Sequence, residues 1–576
     1  MTNKHHPFHP IIYVRGFAVS QAEIEETVAD PYMGFNLGST KTRQVWDGTM
    51  RKFFFESPLV RLKDEIVLMK TEKGVERSNR RYDDVYVNGE DLTAPDPQDP
   101  TKPLRPDIAL PYQSIVIFRY YDEASESFGT GETPPIKHFA QGLGNLILRL
   151  RTLVCRKGND PITGDPLDNE VAPEDFRVYL IAHSMGGLVC RAFLQNPELG
   201  SKDARRAVDK LFTYATPHNG IDLRIIRNVP GWASFGDVNN FNRKKMAEYF
   251  ALPPDPAASA DDLDVSIVTN FPPDRIFNLV GSNPADYLVL HGISGWAAGL
   301  DSDGLVRIEN ATTHGPGARG GDISSPRAFA HRSHSGQYGI VNSEEGFQNL
   351  TRFLFGSLRV DGILDIDDVT LPDEVEEKRV QNLAVRASYQ FEIVASVRGC
   401  QWQMHRRTVR ENSAIHRTYD ELFLKQEGEA GRKPDRTRSP HLFSVFLDPY
   451  KSVKKDSPLE RGSVAFAFDL AVLVPDYEID GVLWLKRHFE GGYIYRELIL
   501  VEATPDPKVL GGWTIKYGYQ SKTPNSAQEP TATRLLPDGT GIAFDIPVVR
   551  DPQRPGIKAT LRIEARPWNE AIRETG

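Results

Sequence analysis

A serine, an aspartate and a histidine, in that order along the chain, form its sharpest set of reactive side chains. The serine is Ser184, in Ala182-His183-Ser184-Met185-Gly186-Gly187, between the apolar run 176–182 and a helical pattern through Leu188, Cys190, Ala192, Phe193 and Leu194. This matches a strand-to-helix nucleophile elbow with Ala182 in place of the first glycine; small flanking residues are needed because the serine must stand on a sharp, strained turn. A hydroxyl is a weak nucleophile at its own pKa and needs a histidine base oriented by a carboxylate. The order acid, then histidine, points to Asp303 in Leu300-Asp301-Ser302-Asp303-Gly304 and to His334 in His331-Arg332-Ser333-His334-Ser335. Asp301 competes for the acid and His331 for the base. The Met185 N–H, at the start of the following helix, is the expected oxyanion donor, joined by Phe17 N–H in Val14-Arg15-Gly16-Phe17. His183 is a sequence neighbour of the serine that points away from the base position, so it reads as packing or as support for the site.

The elements that must position these residues read as alternating strands and helices. Short buried-strand runs occur at 11–14, 114–120, 176–182, 210–215 and 274–280, and apolar residues at helical spacing fill 138–155, with a final helix at 343–355. Such alternation implies βαβ units and a mostly parallel sheet with helices on both faces. From about 357 the texture changes. Residues 357–382, rich in Asp and Glu, read as a linker, and 383–576 as a β-sandwich of about eight strands with period-two alternation.

The first 356 residues resemble the α/β-hydrolase superfamily, and within it the lipases and the proteins similar to GPI inositol-deacylase. The resemblance rests on Arg15-Gly16-Phe17, the elbow 182–187, Ala215-Thr216-Pro217-His218-Asn219-Gly220, Asp303-Gly304-Leu305-Val306 and Ser333-His334-Ser335, in that order. It implies an α/β-hydrolase fold with Ser184 as nucleophile, Asp303 as acid, His334 as base, and Phe17 and Met185 as oxyanion donors. Gly16, His183 and His218 are expected to line the substrate site. Arg15 stands where such proteins usually carry histidine. The 167 residues between Gly16 and Ser184 exceed what the fold needs, so about 20–110 reads as a cap insertion, and 222–270, with Val229, Trp232, Phe235, Met246 and Phe250, as a lid candidate.

Together these residues imply a serine esterase or lipase that cleaves carboxylic esters through an acyl-enzyme, with no metal or organic cofactor. An acyltransferase, peptidase or phospholipase with the same three residues is the alternative, as is an inactive hydrolase-fold binding protein. The expected partner is an ester or lipid-like small molecule, with transient contact to a lipid surface left open. A net charge of −9 argues against nucleic acid as the partner. Three scattered cysteines make neither a disulfide framework nor a metal knuckle. His5, His6 and His9 lack metal-ligand spacing and read as a solvated terminus. No apolar run approaches the length of a membrane span and no leader-like segment opens the chain, so a cytoplasmic location is expected, with signal-less export open. Oligomeric state is not encoded in these patterns.

Overall fold

Ile11–Val14 (β1) shows why the sheet forms where it does: four β-branched and aromatic residues in a row suit a strand covered on both faces, and all four are fully buried. Each such Ile or Val contributes about 1.5–3 kcal/mol. The computed structural model describes residues 5–16, 42–44, 50–52, 57–64, 67–71, 74–78, 82–120, 122–126, 134–221, 241–253, 263–284, 302–317, 321–334, 339–381, 385–425, 432–448, 463–479, 487–522, 527–550 and 554–569. They fall into two compact units, one of residues 1–327 and 331–354 and the other of residues 328–330 and 355–576.

The first unit is built on a seven-stranded parallel sheet. Its other strands are Val85–Val87 (β2), Ile115–Ile117 (β3), Val178–His183 (β4), Val208–Tyr214 (β5), Ile276–Gly281 (β6) and Arg327–Ala330 (β7), in the spatial order β7-β6-β5-β4-β1-β3-β2. Helices Ser57–Asp64 (α1), Ile136–Val154 (α2), Met185–Gln195 (α3), Arg243–Tyr249 (α4) and Glu344–Phe355 (α5) accompany it. Helix α2 turns Phe139, Leu143, Leu146, Ile147, Leu150 and Leu153 inward. It lies so close to α3 that a Cβ on Gly144 would sit 2.9 Å from the Phe193 ring.

Two expectations about this unit change. Residues 20–110 are not all insertion, because β2 pairs in parallel with β3 as the edge of the main sheet. A three-residue strand is too short to announce itself by periodicity. Helix α4 lies in the lid candidate, yet Met246 and Phe250 are fully buried, and the Tyr249 carbonyl accepts a bond from Asn196 Nδ2 at 3.2 Å. They pack against the domain body; Val229, Trp232 and Phe235 lie outside the described residues. His9 also departs from the solvated reading, being buried with its Nδ1 3.1 Å from the Tyr112 hydroxyl.

Among the described residues the second unit contains two large antiparallel sheets and a two-stranded ribbon, Phe423–Lys425 with Arg432–Pro434. The strands of its large sheets are Leu358–Thr370 (β8), Val385–Val397 (β9), His405–Arg407 (β10), Ile415–Thr418 (β11), His441–Leu447 (β12), Val464–Ile479 (β13), Arg487–Pro505 (β14), Trp513–Tyr519 (β15), Thr533–Leu535 (β16), Ile542–Val549 (β17) and Gly556–Pro567 (β18). One sheet runs β12-β8-β18-β17-β16; the other runs β10-β9-β13-β14-β15, with β11 also on β9. Inward side chains of both sheets form one core, with the Phe443 and Phe468 rings 5.5 Å apart across it. Among the described residues no helix is long and apolar enough to cross a membrane.

The expected linker at 357–382 is instead strand β8 followed by a helix, Asp373–Val380 (α6). The carboxylates of Asp361 and Asp365 are not solvated but bonded, while Asp368, Asp373, Glu374 and Glu377 stay exposed. Asp365 meets Arg562 Nε at 3.0 Å and Ser439 Oγ at 2.6 Å, while Asp361 is buried with Arg359 Nε at 2.8 Å and Ser444 Oγ at 2.6 Å. Burial alone would raise the Asp361 pKa, but Arg359, His441 and Ser444 override it and hold it well below the usual carboxylate range. Removing one member of a buried pair typically costs about 3–5 kcal/mol, and that loss is expected for Asp361→Asn at pH 7. A pKa depressed by folding contributes stability above its unfolded value of 3.8 and loses it as pH falls through the folded one. The gap in urea unfolding between wild type and variant should therefore stay full down to about pH 4 and narrow below it without closing by pH 3; a gap already lost between pH 7 and pH 5 would contradict this.

Candidate active site

Ser184 sits where β4 gives way to α3, with φ 50° and ψ −126°, a conformation that side-chain-bearing residues avoid. The strand holds it by burial of all six residues Val178–His183 in the middle of the sheet. The glycines after it let the helix begin at once. A Cβ on Gly186 would collide with the carbonyl oxygens of Val14 and Arg15, and one on Gly187 with the Thr216 side chain. Gly16 approaches from the other side, where a Cβ would lie 2.9 Å from Ser184 Cβ and 2.8 Å from His183 Nδ1. The turn after β1 is thus pressed against the serine, and the Tyr120 hydroxyl fixes it by donating to the Arg15 carbonyl at 2.7 Å.

Two loops at the carboxyl ends of β6 and β7 bring the other groups in. His334 Nε2 is 2.9 Å from Ser184 Oγ, and His334 Nδ1 is 2.9 Å from Asp303 Oδ2. The second carboxylate oxygen, Oδ1, accepts the backbone N–H groups of Leu305 at 3.0 Å and Val306 at 2.7 Å. That leaves Oδ2 to the imidazole. The loops also hold each other, since His334 N–H donates to the Asp303 carbonyl at 2.9 Å. All three side chains are buried. A hydroxyl, an imidazole and a carboxylate in one hydrogen-bonded line can move a proton off the oxygen and keep the resulting imidazolium stable.

His331 is exposed, with its Nδ1 3.4 Å from Ser282 Oγ, so His334 is the histidine that reaches Ser184. Asp301 and Phe17 lie outside the described residues. His183 is buried, and its Nε2 donates to the His334 carbonyl at 3.0 Å. Burial, with His334 and Arg15 nearby, holds its pKa well below the ordinary value. It supports the base loop instead of lining a substrate surface. His218 also departs from the lining expectation: it is fully buried, with Nε2 3.2 Å from Thr213 Oγ1, and its carbonyl accepts from the buried Arg191 at 2.9 Å. Arg191 bonds further to the carbonyls of Val265 and Ile267, and burial lowers its pKa to about 9. The loop 215–220 is packed in place from beneath.

This elbow and its two flanking strands are the part of the chain that known families recognise. Residues 146–250 match the family model of the PGAP1-like alpha/beta domain. No curated protein and no solved structure matches the chain. The PGAP1-like stretch carries β4, Ser184, α3, β5 and His218. Asp303 and His334 lie beyond it. Gly281, which sequence reasoning missed, ends β6 just where those two loops meet. A Cβ there would fall 2.7 Å from both the Asp303 Cβ and the Arg332 carbonyl oxygen. A glycine closing a strand is the signal that could have marked this close approach.

The backbone of Ser184 stores strain of about 1–3 kcal/mol. Ser184→Gly relieves it, whereas Ser184→Ala keeps it, so the glycine variant is expected to unfold at a higher temperature than the alanine variant in calorimetry. Equal or reversed melting temperatures would mean that the turn is not strained.

Proposed function

We propose that the chain is a serine hydrolase that cleaves carboxylic esters, with a lipid-like acyl or alcohol portion in its substrate. The observation that carries this reading is the unbroken line Ser184 Oγ, His334, Asp303, with both links at 2.9 Å and the serine on a positive-φ turn. The PGAP1-like match and the resemblance to lipases support the ester and lipid parts of the proposal.

In the proposed reaction, His334 Nε2 takes the Ser184 proton as Oγ attacks the acyl carbon. The oxygen that becomes negative is met by the Met185 N–H, which as the first group of α3 has no carbonyl of its own helix to bond. The turn after β1, where Phe17 follows Gly16, is the proposed source of a second donor. Collapse of the tetrahedral species expels the alcohol, which receives the proton from His334, and leaves the acyl group on Ser184. A water deprotonated by His334 then attacks the same carbon, releasing the acid and restoring the serine. Asp303 keeps the imidazole in the tautomer that presents Nε2 to the serine and stabilises its charged form. An acyltransferase would differ in one step, a second alcohol replacing water.

A fluorophosphonate probe should label the wild type and leave Ser184→Ala unlabelled; labelling that persists in the alanine variant would remove Ser184 from the mechanism. Asp303→Asn and His334→Ala should each lower p-nitrophenyl decanoate turnover by about 10³–10⁴-fold. Turnover of the decanoate should exceed that of the acetate, and the opposite order would exclude a lipid-like acyl group.

A further inference from the structure

We propose that the antiparallel unit binds an aliphatic chain in a cavity between its two sheets. The cavity has a volume of about 160 Å³. Val360, Phe544 and Ile563 line it from the five-stranded sheet, and Phe466, Val501 and Ile515 from the other. Apart from the Trp513 indole, only Thr540 and Arg566 bring polar side chains to the lining, and the Arg566 guanidinium is engaged elsewhere, 2.7 Å from Glu564 Oε2. Interiors pack with few voids larger than a water molecule, so an apolar space of this size is costly to leave empty. A dry cavity of similar volume takes up benzene, and this one therefore has room for about six carbon atoms.

The mouth is built to admit such a chain. Two glycine-bearing turns frame it, one at Leu510–Gly512 and one closed by the bonds Leu536 N–H to Gly541 O and Gly539 N–H to Leu536 O. A Cβ on Gly539, which lines the cavity, would meet nothing within 4 Å, so this turn leaves open space at the lining, whereas Gly511 packs against Ile542. Beside these turns stand three large apolar side chains in water: Val509 at 40%, Leu510 at 50% and Leu535 at 51% exposure. An apolar collar around an apolar hole suits a chain whose end is buried and whose next few methylenes lie across the rim. No charged group of the lining faces inward to hold a carboxylate or phosphate, so the polar end of the ligand remains in solvent. The occupant is a single-chain lipid such as a fatty acid or its ester, taken up tail first. Nothing in this site involves Ser184, and it stands whether or not the chain hydrolyses esters.

The test titrates 10-bromodecanoic acid into the full chain, with Ser184 blocked by a fluorophosphonate, or replaced by alanine if it does not react. Bromine quenches a tryptophan that it touches, so saturable quenching is expected, and Trp513→Phe should remove that quenching while calorimetry still detects uptake. Ala503→Phe, which fills the space, should weaken binding by roughly tenfold or more. Leu535→Asp, a change at an exposed position that does not test folding, should weaken it as well. Affinity unchanged in both variants, or binding that disappears when the serine is blocked, would overturn the proposal. So would a concentration-dependent dimer that Leu535→Asp dissolves without any uptake of the acid, since the collar would then be a contact between two copies of the chain.

Discussion

The site depends on one constraint, a serine backbone held where serine does not want to be. At φ 50° and ψ −126° Ser184 has left strand geometry and has not yet entered the helix. Nothing local pays for that conformation. It is imposed from outside, by β4 locked between β1 and β5 and by α3 starting within one residue. The carbonyls of Val14 and Arg15 press against the start of the helix, leaving Gly186 no room for a side chain, and Gly16 is closed in by the side chains of His183 and Ser184. Pulling Ser184 back to a relaxed conformation would mean separating strands in the centre of the sheet.

The same crowding explains the electrostatics. Ser184, His334 and Asp303 are all buried, and in a medium that screens weakly, a hydrogen bond to a charge is strong and an unpaired charge is costly. Asp303 meets that demand by spending one oxygen on two backbone N–H groups and the other on the imidazole. His183 and Arg191 act one layer further out, each donating to loop carbonyls, His183 to the base loop and Arg191 to 218, 265 and 267. From buried positions, His183 stiffens the loop that carries His334, and Arg191 stiffens the segments at 218 and 265–267.

Much of this was legible because it is local. An elbow is a string of small residues between a buried run and a helical run, and Asp303-Gly304 and His334 stand in short turns, so Ser184, Asp303 and His334 carried their own signals. What was not legible depends on distant contacts. Gly281 looks like any strand-ending glycine until the loops of Asp303 and Arg332 are folded against it. Strand β2 is three residues long and has no period to detect. Strand β8 was hidden by its charges: bulges at 362–363 and 366–368 interrupt the alternation, and the arginines that neutralise Asp365 and Asp367 are Arg562 and Arg436, remote in sequence.

Strand β8 also sets a timetable. It lies between β12 and β18, and its longer ladder is with β18, so partners such as Leu358 and Pro567 are separated by roughly 200 residues of chain. As the chain leaves the ribosome, the hydrolase-like unit has all its strands well before β18 exists, and β8 has one neighbour instead of two. For that interval its unpaired edge, bearing Asp361, Asp365 and Asp367, is kept from sticking to other strands by charge. The acids that later pair with arginine serve first as a guard on an unfinished sheet.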